Sequence, residues 1–503
     1  MGVIKRQGIK HSIVQFVGIG LSAIAMIFVY NLSTFAYGLV QTLIAAASFV
    51  SPFVLLGITV VSVKYFPQFR NQENGHNGFL GIMMLVGFIG FLAFLLAFPL
   101  LKPLIIDTFF KDQTYELANE FVILLLPLIL AISFSRIAAL HASNFQRIVV
   151  PVILEETLIR LTLPLLILGY VFHYLGINQV LFGVILTYAI GCIGLYFYLY
   201  KLGQLKLKPN PEAYPVPKVK EMAGYGAYGI LSGIGTKTAF FIDTLMVSAL
   251  IDFNNTGVYA ISLFIANTIG QPIRSIIGIA QPIISKAYAE NNLEEIKTIY
   301  QKSSLNLLIF GVFLFLGIWS NLIDLFTIMP NSEPMMAGKW VVFFLCIAKL
   351  VDMATSVNNE IINYSKYYTY NFVALLGLAV FNVLCNLYFI PKYQIVGAAI
   401  ATLLSLGTFN LIKLLIIYWK FKIIPFTKGT LLIFGTGILV YLLVWLVPEI
   451  QNPILGIMVK SSIIIMLYPL IIFKLKISED YNQIVLNLTK RFVPFLYRIL
   501  KNF

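Results

Sequence analysis

Apolar segments long enough to cross a membrane follow one another along this chain from residue 11 to residue 474. A helix that crosses the bilayer core needs about 20 predominantly apolar residues, and hydropathy predicts about fourteen such spans. Only 11% of the 503 residues are charged, against about 25% in a soluble domain. The sequence therefore predicts an all-α polytopic membrane protein and excludes a soluble enzyme, a coiled coil or a disordered chain. The predicted spans lie near residues 11–32, 37–63, 78–100, 118–142, 150–174, 178–201, 223–250, 256–284, 303–326, 340–364, 367–390, 395–420, 429–448 and 453–474.

A polar segment divides the first twelve spans into two sets of six. Residues Lys201–Glu221 carry five lysines and four prolines, a composition typical of an extended linker and not of a helix. A basic, amphipathic tail follows the last two spans and is expected to lie on the membrane surface. The predicted organisation is an N-terminal six-helix lobe (1–203), a cytoplasmic linker (204–222), a C-terminal six-helix lobe (223–421), two additional spans (422–476) and the tail (477–503).

The two sets of spans share a faint internal repeat. Equal lobes in the same orientation predict parallel repeats about a pseudo-two-fold axis normal to the membrane, which is a design of alternating-access transporters. Chance similarity among apolar helices is the alternative. The matching residues are Tyr37, Pro52, Gly57 and Lys64-Tyr65-Phe66 in span 2 and its exit, and Tyr259, Pro272, Gly278 and Lys286-Ala287-Tyr288 in span 8 and its exit.

Basic residues are distributed unevenly between the two sides of the predicted membrane. With the N-terminus in the cytoplasm, cytoplasmic segments hold 24 of the 35 Lys and Arg residues. Positively charged loops favour the cytoplasmic side, so most of the net charge of +14 sets the orientation. Nucleic-acid binding then has no support, because no folded basic domain or motif remains. The opposite side holds only Lys102, Lys111, Lys339 and Lys392.

Seven basic and five acidic residues fall inside the predicted spans, where an isolated charge costs at least about 2.5–3.5 kcal/mol. Such residues face a wet cavity, pair with one another or extend to the headgroups. A pathway for a cationic drug is expected to be lined by carboxylates, and spans 1 and 2 contain none. The excess of positive charge favours an anionic cargo. The twelve residues are Arg136, Arg160, Lys237, Arg274, Lys349, Lys413, Lys460, Glu155, Glu156, Asp243, Asp352 and Glu360.

Arg274 is the first candidate for an anion-binding residue, and Lys237 is the second. Arg274 lies two residues after Pro272, which kinks a helix, and no acidic residue lies within four positions. A guanidinium there can hold a phosphate or carboxylate through two parallel hydrogen bonds. The alternative is an ion pair with Asp243 or Asp352 on another helix. Lys237 lies in the middle of span 7, after a Gly-x-Gly sequence that either admits another backbone or marks tight packing.

Helical spacing predicts two ion pairs. Arg160 follows Glu156 by one turn and is expected to pair with it, which leaves Glu155 as the better candidate for a free cavity carboxylate. Lys349 and Asp352 are three residues apart and are also expected to pair.

The spans thus provide three groups of charged residues. The candidate substrate-binding residues are Arg274, Lys237, Arg160 and Lys349, and the candidate coupling or gating residues are Glu155, Asp243, Asp352 and Glu360. Glu360 belongs to a polar cluster at the cytoplasmic end of span 10 that suits either a gate or a solvated helix end. Arg136, Lys413 and Lys460 are expected to extend to the headgroups. No catalytic residue, metal site or cofactor is predicted, since Cys192, Cys346 and Cys385 lie alone in apolar runs.

Several short motifs accompany these spans: Arg6-Gln7-Gly8-Ile9-Lys10-His11-Ser12, Gly38-Leu39, Leu56-Gly57, Lys64-Tyr65-Phe66-Pro67, Asp243-Thr244-Leu245 and Tyr259. Together with the two lobes, residues 1–475 resemble the polysaccharide-export flippases, which are the lipid-linked oligosaccharide (O-antigen type) flippases of the multidrug/oligosaccharidyl-lipid/polysaccharide (MOP) exporter superfamily. The resemblance implies a cavity between two lobes that opens to each side in turn.

In the related lipid II flippases, arginines in spans 1, 2 and 8 bind the pyrophosphate. Of these three arginines, only the one in span 8 has a counterpart in this sequence, as Arg274. This difference argues against lipid II itself as the substrate. Spans 13 and 14 resemble those that form the lipid-tail groove.

The resemblance implies a transporter that moves undecaprenyl-pyrophosphate-linked oligosaccharide across the bacterial cytoplasmic membrane, with both termini in the cytoplasm. Besides this substrate and membrane lipids, the polysaccharide polymerase and glycosyltransferase machinery are candidate partners. A small-molecule or multidrug cation antiporter of the same fold is the first alternative, and a membrane-embedded glycan polymerase or ligase is the second. An enzyme needs positioned acid and base groups, and the short outer loops contain no such constellation.

Overall fold

The structure, a computed structural model, describes residues 2–110 and 115–492, and every regular element in these ranges is a helix. Lys111 and the end of the tail after Phe492, both assigned above from sequence, lie outside the described residues. The helices are α1 (Gly2–Phe28), α2 (Thr34–Leu55), α3 (Ile58–Phe69), α4 (Phe79–Phe109), α5 (Tyr115–Asn144), α6 (Val149–Val152), α7 (Leu158–Val171), α8 (Ile177–Lys201), α9 (Val216–Leu250), α10 (Phe253–Ile269), α11 (Gln271–Ala289), α12 (Leu293–Ile328), α13 (Ser332–Met336), α14 (Lys339–Thr355), α15 (Asn358–Asn363), α16 (Tyr368–Phe421), α17 (Lys428–Trp445), α18 (Pro453–Lys474) and α19 (Glu479–Phe492).

Nine of the described helices are long and apolar enough to cross a membrane. The number rises to eleven when each of two bent helix pairs counts as one span. One bend, of 53°, divides α9 between Gly235 and Phe240, and the other, of 43°, separates α10 from α11. The protein is therefore an all-helical polytopic membrane protein, as the sequence predicts.

Three further segments account for the difference from the predicted count of fourteen. The 54 residues of α16 would form a helix of about 80 Å, but its backbone leaves helical geometry at Gln394 (φ 53°, ψ −138°), so it is two successive helices. The helix α14 is short, with 17 residues. A π-helical turn at Ile153–Thr157 separates α6 from α7. If each of these three segments contributed one further span to the eleven, the total would be fourteen, and this count stays a prediction.

The polar segment after α8 is shorter than the sequence suggests. The helix α9 begins at Val216, so the residues from there to Glu221 are helical, and the prediction of an extended linker is wrong for this part. Pro217 does not prevent this, because a proline in the first turn of a helix removes an N–H that has no partner there in any case. The preceding segment is held by a hydrogen bond of 2.8 Å between His76 Nε2 and Gln204 Oε1.

Contacts divide the chain into two compact units, Met1–Ala260 (unit 1) and Ile261–Phe503 (unit 2). In unit 1, α9 packs along α2 and α3, and this packing extends the unit beyond the predicted N-terminal lobe. In unit 2, α14 packs against α16, and α12 packs against α17 and α18. The predicted domain boundaries follow the internal repeat and not the packing, and they stay predictions.

Glycines allow α9 to approach the junction of α2 and α3 closely. Gly57 has a positive φ of 77° between these two helices, and a Cβ atom there would overlap the carbonyl oxygen of Gly226. A Cβ on Gly229 would likewise lie against the backbone of Gly57 and overlap Val60. The sequence motif Leu56-Gly57 therefore has a packing reason, since only a residue without a side chain fits between the two backbones.

We expect Gly57→Ala to lower the free energy of unfolding by about 2–5 kcal/mol, because it adds left-handed backbone strain to an overlap in a packed interior. Thermal unfolding of the purified protein in detergent measures the effect. Gly224→Ala is the matched control, since a Cβ on Gly224 meets nothing within 4 Å. Equal unfolding temperatures for the two variants would contradict this account of the contact.

Candidate functional site

Unit 1 contains a polar cavity of about 590 Å³. Helices α2, α3, α5, α8 and α9 and the turn between α6 and α7 contribute to its wall. Hydroxyl groups and charges share this wall with apolar side chains, although the surrounding helices are strongly apolar. The polar residues that line it are Ser48, Ser51, Thr59, Ser135, Arg136, Glu155, Glu156, Tyr188, Ser232 and Lys237.

A π-helical turn positions the two carboxylates of the cavity. Glu155 and Glu156 lie in the turn Ile153–Thr157, and such turns inside α-helices occur frequently at functional sites. Arg160 Nη2 donates to Glu156 Oε2 at 2.9 Å, and Gln15 Nε2 donates to the same oxygen at 3.1 Å. The predicted Glu156–Arg160 pair is therefore present. Of the two carboxylates in the cavity, Glu155 therefore has no ion pair within 4 Å among the described residues.

Lys237 lies at the bend of α9 and lines the cavity. Its Nζ is 5.2 Å from the centroid of the Phe241 ring, within the range of a cation–π contact. Glu155 interacts electrostatically with both Lys237 and Arg136. The two basic side chains therefore share one free carboxylate, and the cavity carries a net charge of about +1 when Glu156 and Arg160 cancel each other.

Arg136 also lines the cavity, so the prediction that it extends to the headgroups is wrong. It lies on α5 directly after Ser135, and Ser133 and Ser135 are both buried. These two serines, within an otherwise apolar span, are the feature of the sequence that could have indicated a polar surface on α5. A guanidinium on that wall avoids the cost of an isolated charge in the membrane because the cavity and Glu155 solvate it.

Arg274 lies near the start of α11, in the turn that follows the 43° bend after α10. Pro272 stands at the first turn of α11 and marks the break that the sequence predicts. The Arg274 side chain is exposed, and it forms no ion pair with any residue that the structure describes. The alternative pairing with Asp352, which lies in the same unit, is therefore absent within those residues, and the pairing with Asp243 stays an alternative.

A second group of charges lies in unit 2, where α14, α15 and α16 meet. Lys413 is fully buried, with 0% exposure, and its Nζ donates to Asn359 Oδ1 at 3.2 Å. The prediction that Lys413 extends to the headgroups is wrong. Asp352 and Glu360 both interact with it electrostatically, and Asn410 Nδ2 donates to Asp352 Oδ1 at 3.3 Å.

The other predicted residues are held elsewhere. Asp243 is buried and accepts a hydrogen bond of 3.2 Å from Tyr259 Oη, which joins α9 to α10. The side chain of Lys349 lies close to the backbone of Gly270, and its pairing with Asp352 stays a prediction. The Nζ of Lys460 forms an ion pair of 2.7 Å with Asp324, and its extension toward the headgroups stays a prediction.

A family model described as a polysaccharide biosynthesis protein matches residues 4–288, which is more than half of the chain. The chain belongs to this polysaccharide biosynthesis protein family. None of the curated proteins matches it. The family assignment agrees with the resemblance that the motifs carry.

Solved structures of low sequence identity share the fold of this family member. The lipid II flippase MurJ in an inward closed conformation is 15% identical over 92% of this chain and 98% of its own, with a TM-score of 0.74. An inward-facing multidrug resistance MATE family transporter of the MOP superfamily is 13% identical over 80% and 94%, with a TM-score of 0.62. A MOP superfamily transporter from Pyrococcus furiosus, described as having a binding pocket of reverse polarity, is 14% identical over 83% and 96%, with a TM-score of 0.50. The predicted MOP exporter fold is confirmed.

Proposed function

We propose that this protein is a flippase that moves undecaprenyl-pyrophosphate-linked oligosaccharide from the inner to the outer leaflet of the bacterial cytoplasmic membrane by alternating access. The cargo would serve the assembly of a surface polysaccharide such as O-antigen, capsule or exopolysaccharide. Family membership supports a role in polysaccharide biosynthesis. The observation that carries the choice of cargo is the cationic, hydroxyl-lined cavity of unit 1.

The chemistry of this cavity fits the headgroup of such a lipid. Arg136 and Lys237 provide donors for phosphate oxygens, and hydrogen bonds that involve a charged group contribute about 1.5–3 kcal/mol each. The serines and Tyr188 match sugar hydroxyls. A volume of about 590 Å³ lies within the range of about 300–1,000 Å³ for pockets that enclose small molecules. The cavity suits part of a headgroup, and the prenyl tail would remain in lipid.

Arg274, in unit 2, stays a proposed pyrophosphate-binding residue. Its guanidinium is exposed and without an ion pair among the described residues, so an anion does not have to displace a protein carboxylate from it. Arginine binds phosphate through two parallel hydrogen bonds. Lys349, on α14, stays a proposed substrate-binding residue. Arg160 would act indirectly, because its bond to Glu156 removes that carboxylate from competition with the cargo.

The charges of the cavity argue against a cation antiporter. A site for a cationic drug needs free carboxylates, but Glu156 is bound by Arg160 and Glu155 faces two basic side chains. The sequence contains no P-loop for ATP. Transport would therefore draw on an ion gradient or on the membrane potential, with both termini in the cytoplasm as the loop charges indicate.

Deletion of the gene tests the proposal in cells. We expect loss of the surface polysaccharide and accumulation of the lipid-linked oligosaccharide, as measured by mass spectrometry of extracted lipids. Complementation with the intact gene is expected to reverse both changes. Normal surface glycan together with increased sensitivity to cationic drugs would instead support the antiporter.

A further inference from the structure

We propose that Glu360 takes up and releases a proton during the transport cycle, at a site that also contains Asp352 and Lys413. The site is the group of charges in unit 2 formed by Asp352, Glu360 and Lys413, of which Lys413 is fully buried and the two carboxylates are half-buried. The inference rests on the proposed function only in requiring a transport cycle, and it does not depend on which cargo is moved.

A break in the helix positions this site. The helix α14 ends at Thr355 and α15 begins at Asn358, and between them Ser356 has φ 47° and ψ −117°. Backbone strain of this kind in a residue other than glycine costs about 1–3 kcal/mol and is often found at functional sites. The break turns the side chains of α15 toward α16, where Lys413 donates to Asn359.

Amide groups on both sides of the break fix the surrounding geometry. Asn358 Nδ2 donates to Asn410 Oδ1 at 3.1 Å, and Asn410 Nδ2 donates in turn to Asp352 Oδ1 at 3.3 Å. Lys413 Nζ also lies 3.9 Å from the centroid of the Phe409 ring. Asp352 and Lys413 therefore each have a neutral hydrogen-bond partner.

Glu360 differs from its neighbours in this respect. Its Oε2 is buried and has no hydrogen-bond partner among the described residues, although the residue as a whole is half-buried. Two carboxylates and one ammonium leave the site with a net charge of −1. A buried charge without a partner is costly, and one proton on Glu360 would make the site neutral.

A metal cation fits this site less well than a proton. The described residues contain no group of three or more His, Cys, Asp or Glu side chains that could hold a metal ion. Lys413 already provides the positive charge that faces both carboxylates, whereas a metal ion would need several free oxygen ligands.

Two tyrosines also pack against α15. Tyr288 of α11 donates to the carbonyl oxygen of Ile361 at 2.8 Å, and Tyr300 of α12 packs in the same apolar cluster as Ile361 and Ile362. Tyrosine has an ordinary pKa of about 10, so neither side chain titrates in the physiological range. Within the described residues, Asp352 and Lys413 are then the charged groups that face Glu360.

Infrared difference spectroscopy tests the proposal on the full-length protein in liposomes. Spectra recorded between acidic and alkaline pH, with carbon-13-labelled glutamate for assignment, are expected to show the C=O band of a protonated glutamic acid. Glu360→Gln should remove this band, because the amide keeps the shape of the side chain but cannot titrate. The matched control is Glu290→Gln, since Glu290 is exposed and pairs with Lys286 at the surface of the same unit.

Two further arms separate the outcomes. In Lys413→Met the band should persist to higher pH, with proton affinity raised about tenfold or more, because two facing carboxylates then lack their counter-charge. Replacement of sodium by choline at constant ionic strength should leave the band unchanged. Retention of the band in Glu360→Gln, or a sodium-dependent band, would overturn the proposal. None of these spectra requires a cargo, so they are independent of whether lipid-linked sugars are transported.

Discussion

Lys237→Glu is expected to abolish surface display of the glycan while the amount of protein in the membrane stays unchanged. The substitution changes the net charge of the unit 1 cavity from about +1 to about −1, next to Glu155 and opposite an anionic headgroup. The loss of one charge-assisted hydrogen bond removes about 1.5–3 kcal/mol, and repulsion adds to this, so we expect a decrease in export of about 100-fold or more. Quantitative blotting of surface glycan and of the tagged protein measures both quantities.

Two matched variants make this result specific to the cavity. Lys220→Glu introduces the same charge change into the same helix at an exposed position near its first turn, and it should leave display unchanged. Lys237→Arg keeps the positive charge and should retain most of the activity. Normal display in Lys237→Glu, or an equal defect in Lys220→Glu, would contradict a role of the cavity in binding the cargo.

Arg274→Ala is the second change with a large expected effect. A guanidinium that binds the pyrophosphate through two hydrogen bonds contributes about 3 kcal/mol or more, so its removal should reduce glycan export by about 100-fold or more at an unchanged protein level. Arg274→Lys keeps the charge without the paired geometry and should show an intermediate defect. The measurement is the same comparison of surface glycan with protein amount.

Lys286→Ala is the control for this helix. Lys286 lies on α11 as well, but it is exposed and pairs with Glu290 at 3.6 Å, a surface contact that contributes about 0–1 kcal/mol. Its loss should not affect export. If Arg274→Ala cells displayed normal amounts of glycan, Arg274 would have no role in binding the cargo.

Hydropathy and spacing predicted those features that depend on residues near one another in the chain. The apolar runs indicated the helical membrane fold, and the one-turn spacing of Glu156 and Arg160 predicted their ion pair. Pro272 marked the break between α10 and α11. In each case the cause acts within a few residues, so a single sequence contains it.

The positions of Arg136, Lys413 and Lys460 depend on helices distant in sequence. For this reason the sequence interpretation was wrong for Arg136 and Lys413, and it did not identify the partner of Lys460. Arg136 meets Glu155 only because α5 packs against α8 beside the π-turn. Lys413 is buried because α15 and α16 close around it, and Lys460 meets Asp324 across α18 and α12. Depth in the membrane indicates that a charge needs a partner, but it does not identify the partner.

Transport of a labelled lipid by the purified protein tests the central claim most directly. The full-length protein would be reconstituted into liposomes that contain a polyprenyl diphosphate bearing a fluorescent disaccharide in the inner leaflet, and the appearance of the label outside would be followed by quenching. We predict that the wild-type protein moves the label and that Arg136→Ala/Lys237→Ala does not. Absence of movement by the wild-type protein, or movement at the wild-type rate by the double variant, would contradict a flippase that binds its cargo in the cationic cavity of unit 1.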